Sequence, residues 1–72
     1  MEKPSVLLEM KASAMDRVKA IGLFHKLTEG KLEVVIDDVP TDYVDGTYAD
    51  PVKEICDHWD LNKEDVIDWE VL

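Results

Sequence analysis

The chain has 72 residues, of which 46% are hydrophobic and 35% charged, and its formal net charge is −9 at pH 7. This length predicts a single domain over residues 1–72, and so apolar a composition argues against a disordered chain. The 17 acidic residues outnumber the 8 lysines and arginines, which argues against direct nucleic-acid binding and against attraction to an anionic membrane, because both bind cationic proteins.

The cellular compartment is predicted from the cysteine count and the N-terminal residues. Cys56 is the only cysteine, so no internal disulfide marks an oxidising compartment. Residues 1–9 reach a charge after a short apolar run and contain no signal-peptide core. We therefore expect a cytoplasmic protein.

The first predicted element is a strand over residues 5–11. Apolar side chains recur at every second position, at Val6, Leu8 and Met10, which is the period of a strand with one buried face. Because leucine, methionine, lysine and glutamate also favour helices, a continuous helix over residues 4–29 is the alternative.

A helix is predicted to follow, with Ser13 as its N-cap and the acidic Asp16 three positions later. The next apolar residues recur at helical spacing, and the polar residues fall mostly on the opposite side. These apolar residues are Ala14, Met15, Val18, Ile21, Leu23, Phe24 and Leu27. The helix is expected to run to Glu29 and to stop at Gly30.

The run Leu32–Ile36 is the most strand-like segment in the chain because it is rich in β-branched residues. Strand, helix and strand within roughly 30 residues match the length of a βαβ unit. Such a unit predicts two parallel strands with a right-handed crossover.

The C-terminal third predicts one helix and one strand. Asp50 is a typical N-cap, Pro51 suits the first helical position, and an apolar stripe with helical spacing follows. That stripe consists of Val52, Ile55, Cys56 and Trp59. Residues 66–72 alternate again and predict a third strand; its inward residues would be Ile67, Trp69 and Val71. A short helix capped by Asn62 is the alternative for this segment.

These elements predict an α+β fold: a two-layer α/β sandwich in β-α-β-α-β order with a small mixed sheet. This order resembles that of TusA/SirA-type sulfur-carrier proteins. The segment Gly30–Asp38, with two aspartates shortly before Pro40, is similar to the second strand of that family, and Asp50–Cys56 is similar to the start of its second helix.

The resemblance implies a small carrier domain that works with a separate enzyme. The family carries a Cys-Pro-x-Pro motif at the start of its first helix, where the helix dipole favours a thiolate or persulfide. The matching positions here, 13–16, read Ser-Ala-Met-Asp. A serine hydroxyl cannot carry a persulfide, so the resemblance implies a degenerate carrier without the nucleophilic cysteine.

The strongest candidate site is the acidic loop, defined as residues 37–50. No lysine, arginine or histidine occurs from Leu32 to Val52. The acidic loop contains Asp37, Asp38, Asp42, Tyr43, Asp45, Tyr48 and Asp50. A field of one sign at the carboxyl end of a strand attracts basic surfaces, and tyrosines provide contact area. We interpret these residues as a partner-binding surface, with a solvated loop of turn-capping aspartates as the alternative.

Metal-binding and catalytic patterns are incomplete. The acidic loop lacks the ligand spacing of an EF-hand, although its aspartates leave a divalent-cation binder as an alternative. His25, Cys56 and His58 lack the paired spacing of a zinc site, and Cys56 lies on the apolar stripe, which indicates a buried hydrophobe. The sequence therefore predicts a non-enzymatic protein-interaction or regulatory module with no cofactor and no metal.

Overall fold

The structure, a computed structural model, describes residues 3–72, which form four strands and two α-helices. In chain order these elements are β1 (Val6–Lys11), α1 (Met15–Ile21), β2 (Phe24–Thr28), β3 (Lys31–Ile36), α2 (Pro51–Trp59) and β4 (Val66–Val71). The predicted mixed α+β class is confirmed. Neither helix within residues 3–72 is long and apolar enough to cross a membrane.

The strands form one sheet in the order β2-β3-β1-β4, and every neighbouring pair is antiparallel. The predicted β-α-β-α-β order with a mixed sheet is therefore wrong. The order is β-α-β-β-α-β, that of the split βαβ or ferredoxin-like motif. Because β2 reverses the chain before β3, β1 and β3 are antiparallel neighbours and not the parallel pair of a simple βαβ unit.

Helix α1 ends at Ile21, well before the predicted end at Glu29. Gly22 takes the left-handed conformation at φ 87°, and its N–H donates to carbonyls one turn earlier, which terminates the helix. Residues 24–28 then pair with β3. Their apolar side chains fit helical spacing as well as an exposed strand, so periodicity alone does not separate the two structures.

The start of α1 also differs from the prediction. Ser13 lies inside a 3₁₀ turn over Ala12–Ala14, and the N-cap of α1 is Ala14, which makes no side-chain hydrogen bond to the helix. The added turn shifts the helix start past the serine. Asp50, in contrast, is the N-cap of α2 as predicted, because its Oδ1 accepts the Lys53 N–H at 3.2 Å.

Strands β2 and β3 form a hairpin closed by Glu29 and Gly30. Both residues have positive φ, at 52° and 79°, as a two-residue type I′ turn requires. Glycine adopts this conformation readily, whereas glutamate does so at a cost. Gly30 is therefore a hairpin residue and not the helix stop that was predicted.

The predicted third strand is confirmed as β4, and Asn62 caps only the short 3₁₀ turn before it. Trp69 is partly buried against the core, whereas Ile67 and Val71, which were predicted to point inward, are 55% and 46% exposed. The pairing register with β1 shifts midway along the strands and leaves Ile67 unpaired. Val71 lies near the end of an edge strand, where few neighbours cover it.

The core lies on one face of the sheet, where buried side chains alternate along β1 and β3 and meet buried side chains of both helices. The buried residues are Val6, Leu8, Met10, Ala14, Val18, Leu32, Val34, Ile36, Val39, Val52, Ile55, Cys56 and Leu61. The other face of the sheet carries partly or fully exposed side chains and is called the open face below.

Candidate functional site

The acidic loop begins with a tight anchor to the rest of the molecule. Val39 is fully buried, and its N–H donates to the Pro4 carbonyl oxygen at 3.0 Å. Asp38, one residue earlier, adopts φ 57°, which turns the chain sharply after β3. The carboxylate of Asp37 accepts a hydrogen bond from the Ser5 hydroxyl at 2.7 Å. The first part of the loop is thus fixed against the segment that leads into β1.

Aromatic rings anchor the middle of the acidic loop to α2. Tyr43 is partly buried against the core, and its ring meets those of Tyr48 and His58 edge-on at centroid distances of 5.5 and 5.8 Å. The Tyr43 hydroxyl and His58 Nδ1 are hydrogen-bonded at 3.2 Å. His58 in turn lies 4.3 Å from the Trp59 ring. Tyr43 therefore folds back onto the helix, while Tyr48 stays 38% exposed.

Asp45 shapes the turn that follows. Its Oδ1 accepts the Thr47 N–H at 3.0 Å and also the Thr47 hydroxyl, which is the hydrogen-bond pattern of an Asx turn. The bond from the Thr47 hydroxyl, followed by that from the N–H, lowers the pKa of Asp45. Gly46, at φ 95°, provides the left-handed residue within the turn.

Asp50 is the last residue of the acidic loop, and its carboxylate is bound by groups of the same chain. Besides capping α2, its carboxylate is bound by the ammonium group of Lys63. The Lys63 hydrogen bond is the largest cause that lowers the pKa of Asp50, and the Lys53 N–H is the second. Among the candidate residues, Asp50 therefore has a clear structural role at the helix start.

Asp38 and Asp42 differ from the other three aspartates of the loop. Both are exposed, and within residues 3–72 neither side chain makes a hydrogen bond or an ion pair. They lie on the two sides of the buried Val39 anchor, and Asp42 is the neighbour of Tyr43 in the 3₁₀ turn Thr41–Tyr43. Their charge is therefore free to act on a molecule outside the chain.

The five aspartates are not gathered around a common point. In the described part of the chain, no group of three or more His, Cys, Asp or Glu side chains is placed to hold a metal ion. Each of the three potential zinc ligands also has a different environment. His25 Nδ1 is bonded to the Leu23 carbonyl at 2.8 Å, His58 to Tyr43, and Cys56 is buried in the core.

Sequence reasoning missed two residues that contact the acidic loop: His58, which is bonded to Tyr43, and Lys63, which is bonded to Asp50. The sequence pattern singles out His58 only as a possible metal ligand. The available signal was that His58 falls outside the apolar stripe of α2, which leaves its ring at the surface for a contact from a loop. The bond between Lys63 and Asp50 joins a residue just before α2 to one after its end, so it has no local sequence signature.

No family model matches this sequence, and comparisons with curated proteins and with solved structures give no match either. The resemblance to TusA/SirA-type carriers stays a prediction.

Proposed function

We propose that this chain is a small non-enzymatic interaction or regulatory module, which binds a basic surface of a partner protein through the acidic loop. The observation that supports this most is the state of Asp38 and Asp42. Both are exposed carboxylates without a hydrogen-bond or ion-pair partner within residues 3–72, and they lie on a loop whose other polar groups are largely satisfied. We place the module in the cytoplasm, with a protein and not nucleic acid as its partner.

The anchoring of the loop favours binding. Hydrogen bonds of Val39, Tyr43 and Asp50 tie the loop to the segment before β1, to His58 and to the start of α2 respectively. A surface that is already folded loses less conformational entropy on association than a mobile segment does. Tyr48 adds a partly exposed ring beside Tyr43, and rings of this kind provide contact area at low entropic cost.

Electrostatics favours a cationic partner. The chain carries a net charge of −9, and a field of one sign speeds the encounter with a basic surface. Exposed charges act over a screening length of about 8 Å at physiological ionic strength. Binding through Asp38 and Asp42 should therefore weaken strongly as salt is added.

The test compares partner capture by wild type with capture by the double variant Asp38→Asn/Asp42→Asn, at low and high ionic strength. The matched control is Asp16→Asn/Glu64→Gln, which removes two exposed carboxylates outside the loop. We expect the loop variant to lose a partner that wild type and control retain, and we expect high salt to release that partner from both. Equal retention by all three proteins would exclude the acidic loop as the binding surface.

A further inference from the structure

Four aromatic rings form a cluster where the acidic loop meets α2. The Tyr43 ring is nearly perpendicular to the rings of Tyr48 and His58, at interplanar angles of 79° and 74°. The Trp59 ring lies on the far side of His58, at a centroid distance of 4.3 Å. Tyr48 and Trp59 are therefore the two ends of the cluster, and each of them has one aromatic neighbour within it.

Tyr48 is the end of the cluster that solvent reaches. It is 38% exposed and its two chain neighbours are exposed as well, whereas Trp59 is partly buried against the core. The Tyr43 hydroxyl is bonded to His58, but the Tyr48 hydroxyl makes no hydrogen bond within residues 3–72. One edge-to-face contact occupies at most one face of a ring. Tyr48 therefore keeps ring surface that another molecule can contact.

The charge around Tyr48 favours a cation. The face of an aromatic ring is negative, and it attracts a guanidinium or ammonium group within about 6 Å of its centre. No lysine, arginine or histidine occurs from Leu32 to Val52. In the elements that follow, Lys53 and Lys63 are each bound by a carboxylate of the chain. A cation for this ring would therefore come from another molecule.

We propose that Tyr48 binds an arginine side chain of the basic partner, which stacks its guanidinium group on the ring. This inference rests on the proposed function and names the group that the acidic loop recognises. A guanidinium is planar and weakly hydrated, so it stacks on an aromatic ring and still donates N–H groups to a carboxylate. Asp42, beside Tyr43 in the 3₁₀ turn, provides a carboxylate without a partner within residues 3–72.

Lysine fits this site less well. Its ammonium group is a compact, strongly hydrated charge without a flat face, so it loses more hydration than a guanidinium does when it leaves water for a ring. The carboxylates of the acidic loop attract both kinds of cation, whereas the ring favours arginine. Removal of the ring should therefore affect arginine more than lysine, and this difference separates stacking from general charge attraction.

Two peptides titrated into the full chain test the stacking. The probes are an alternating glycine-arginine peptide and a glycine-lysine peptide of the same length and charge, followed by amide NMR at low ionic strength. Tyr48→Leu removes the ring without a change of charge. We expect it to raise the dissociation constant of the arginine peptide by about two- to fivefold, the effect of one exposed cation–π contact, and that of the lysine peptide by less. Tyr48→Phe keeps the ring and should bind both peptides like wild type.

The matched control is Phe24→Leu, which also replaces an exposed ring by an aliphatic side chain but lies on β2, outside the acidic loop. It should bind both peptides like wild type. The inference is overturned if Tyr48→Leu binds the arginine peptide like wild type, or if it weakens both peptides equally, because the ring would then have no preference for arginine. Equal losses in Tyr48→Phe and Tyr48→Leu would also overturn it, since the hydroxyl and not the ring would then bind.

The same titrations separate this inference from the proposed function. If wild type binds neither peptide at the acidic loop, the proposed function fails and the arginine site fails with it. If wild type binds both peptides there and Tyr48→Leu makes no difference, only the arginine site fails. Loss of both peptides in Asp38→Asn/Asp42→Asn, together with the selective loss of the arginine peptide in Tyr48→Leu, is the result that supports both.

Discussion

The thiol of Cys56 lies in the core beside Ile55 and is only 1% exposed. Burial, followed by the nearby charges of Asp57 and Asp50, raises its pKa from 9.0 to about 11. Burial disfavours the charged thiolate, and the thiolate is the reactive form of cysteine. Cys56 therefore stays protonated at neutral pH and behaves as a small apolar side chain.

We predict that a thiol reagent at pH 8 modifies native Cys56 far more slowly than the unfolded chain, since a rise of two pKa units lowers the thiolate fraction roughly hundredfold. Because the folded state holds the thiol proton of Cys56 more tightly, the contribution of Cys56 to the free energy of unfolding is complete below pH 9 and is lost as the pH rises towards 11. Comparing the free energy of unfolding of wild type and Cys56→Ala across this pH range isolates that contribution. Equal rates of reaction with the thiol reagent in buffer and in denaturant would contradict the predicted protection of native Cys56.

The aspartates of the acidic loop show which part of the site local sequence can predict. The composition of residues 37–50 indicates an acidic surface, and the pair Asp50-Pro51 indicates a helix start, which the structure confirms. The sequence does not separate Asp50, which is bound to Lys63, from Asp42, which makes no such bond. That distinction depends on a contact between residues far apart in the chain.

At the level of elements, residues with positive φ set where α1 ends and where β2 turns into β3. Gly22 ends α1, and the pair Glu29 and Gly30 turns β2 into β3. Gly22 ends α1 before residues 24–28, which pair with β3 as an edge strand of the sheet. Glu29 is the least favourable of the three residues, because a side chain with a Cβ resists positive φ.

Replacement of Glu29 by asparagine tests the hairpin. Asparagine tolerates positive φ and, followed by glycine, forms the preferred type I′ turn. We therefore expect Glu29→Asn to raise the free energy of unfolding by about 0.5–1 kcal/mol, measured by urea denaturation. The matched change Glu64→Asn, outside the hairpin, should not stabilise the chain in this way. If residues 24–29 were helical, Glu29→Asn would instead destabilise it, because asparagine is the poorer helix former.

Sequence patterns predicted β1, β3, α2 and β4 because each has a strong local period or cap. They missed β2 because the spacing of its apolar residues fits a helix as well as a strand. The direction of β3 relative to β1 then followed wrongly from the missing strand. Strand order is set by contacts between distant residues, so one wrong element between two correct ones changed the whole topology.

At the scale of the whole molecule, the acidic loop and the open face have different chemistry. The acidic loop lies at the end of β3 and carries free carboxylates beside aromatic rings. The open face lies across all four strands and carries both apolar and charged side chains. A net charge of −9 keeps copies of the chain apart at low salt and attracts basic proteins. Added salt should therefore weaken partner binding at the loop.

The central claim is that the acidic loop is the surface that binds a basic partner. Amide NMR at constant protein concentration tests it most directly, with a peptide rich in lysine and arginine as the titrant. We expect shifts concentrated in residues 37–50 and around His58, and we expect their loss in Asp38→Asn/Asp42→Asn. Shifts spread evenly over the acidic residues of the chain, or confined to the open face, would contradict the claim.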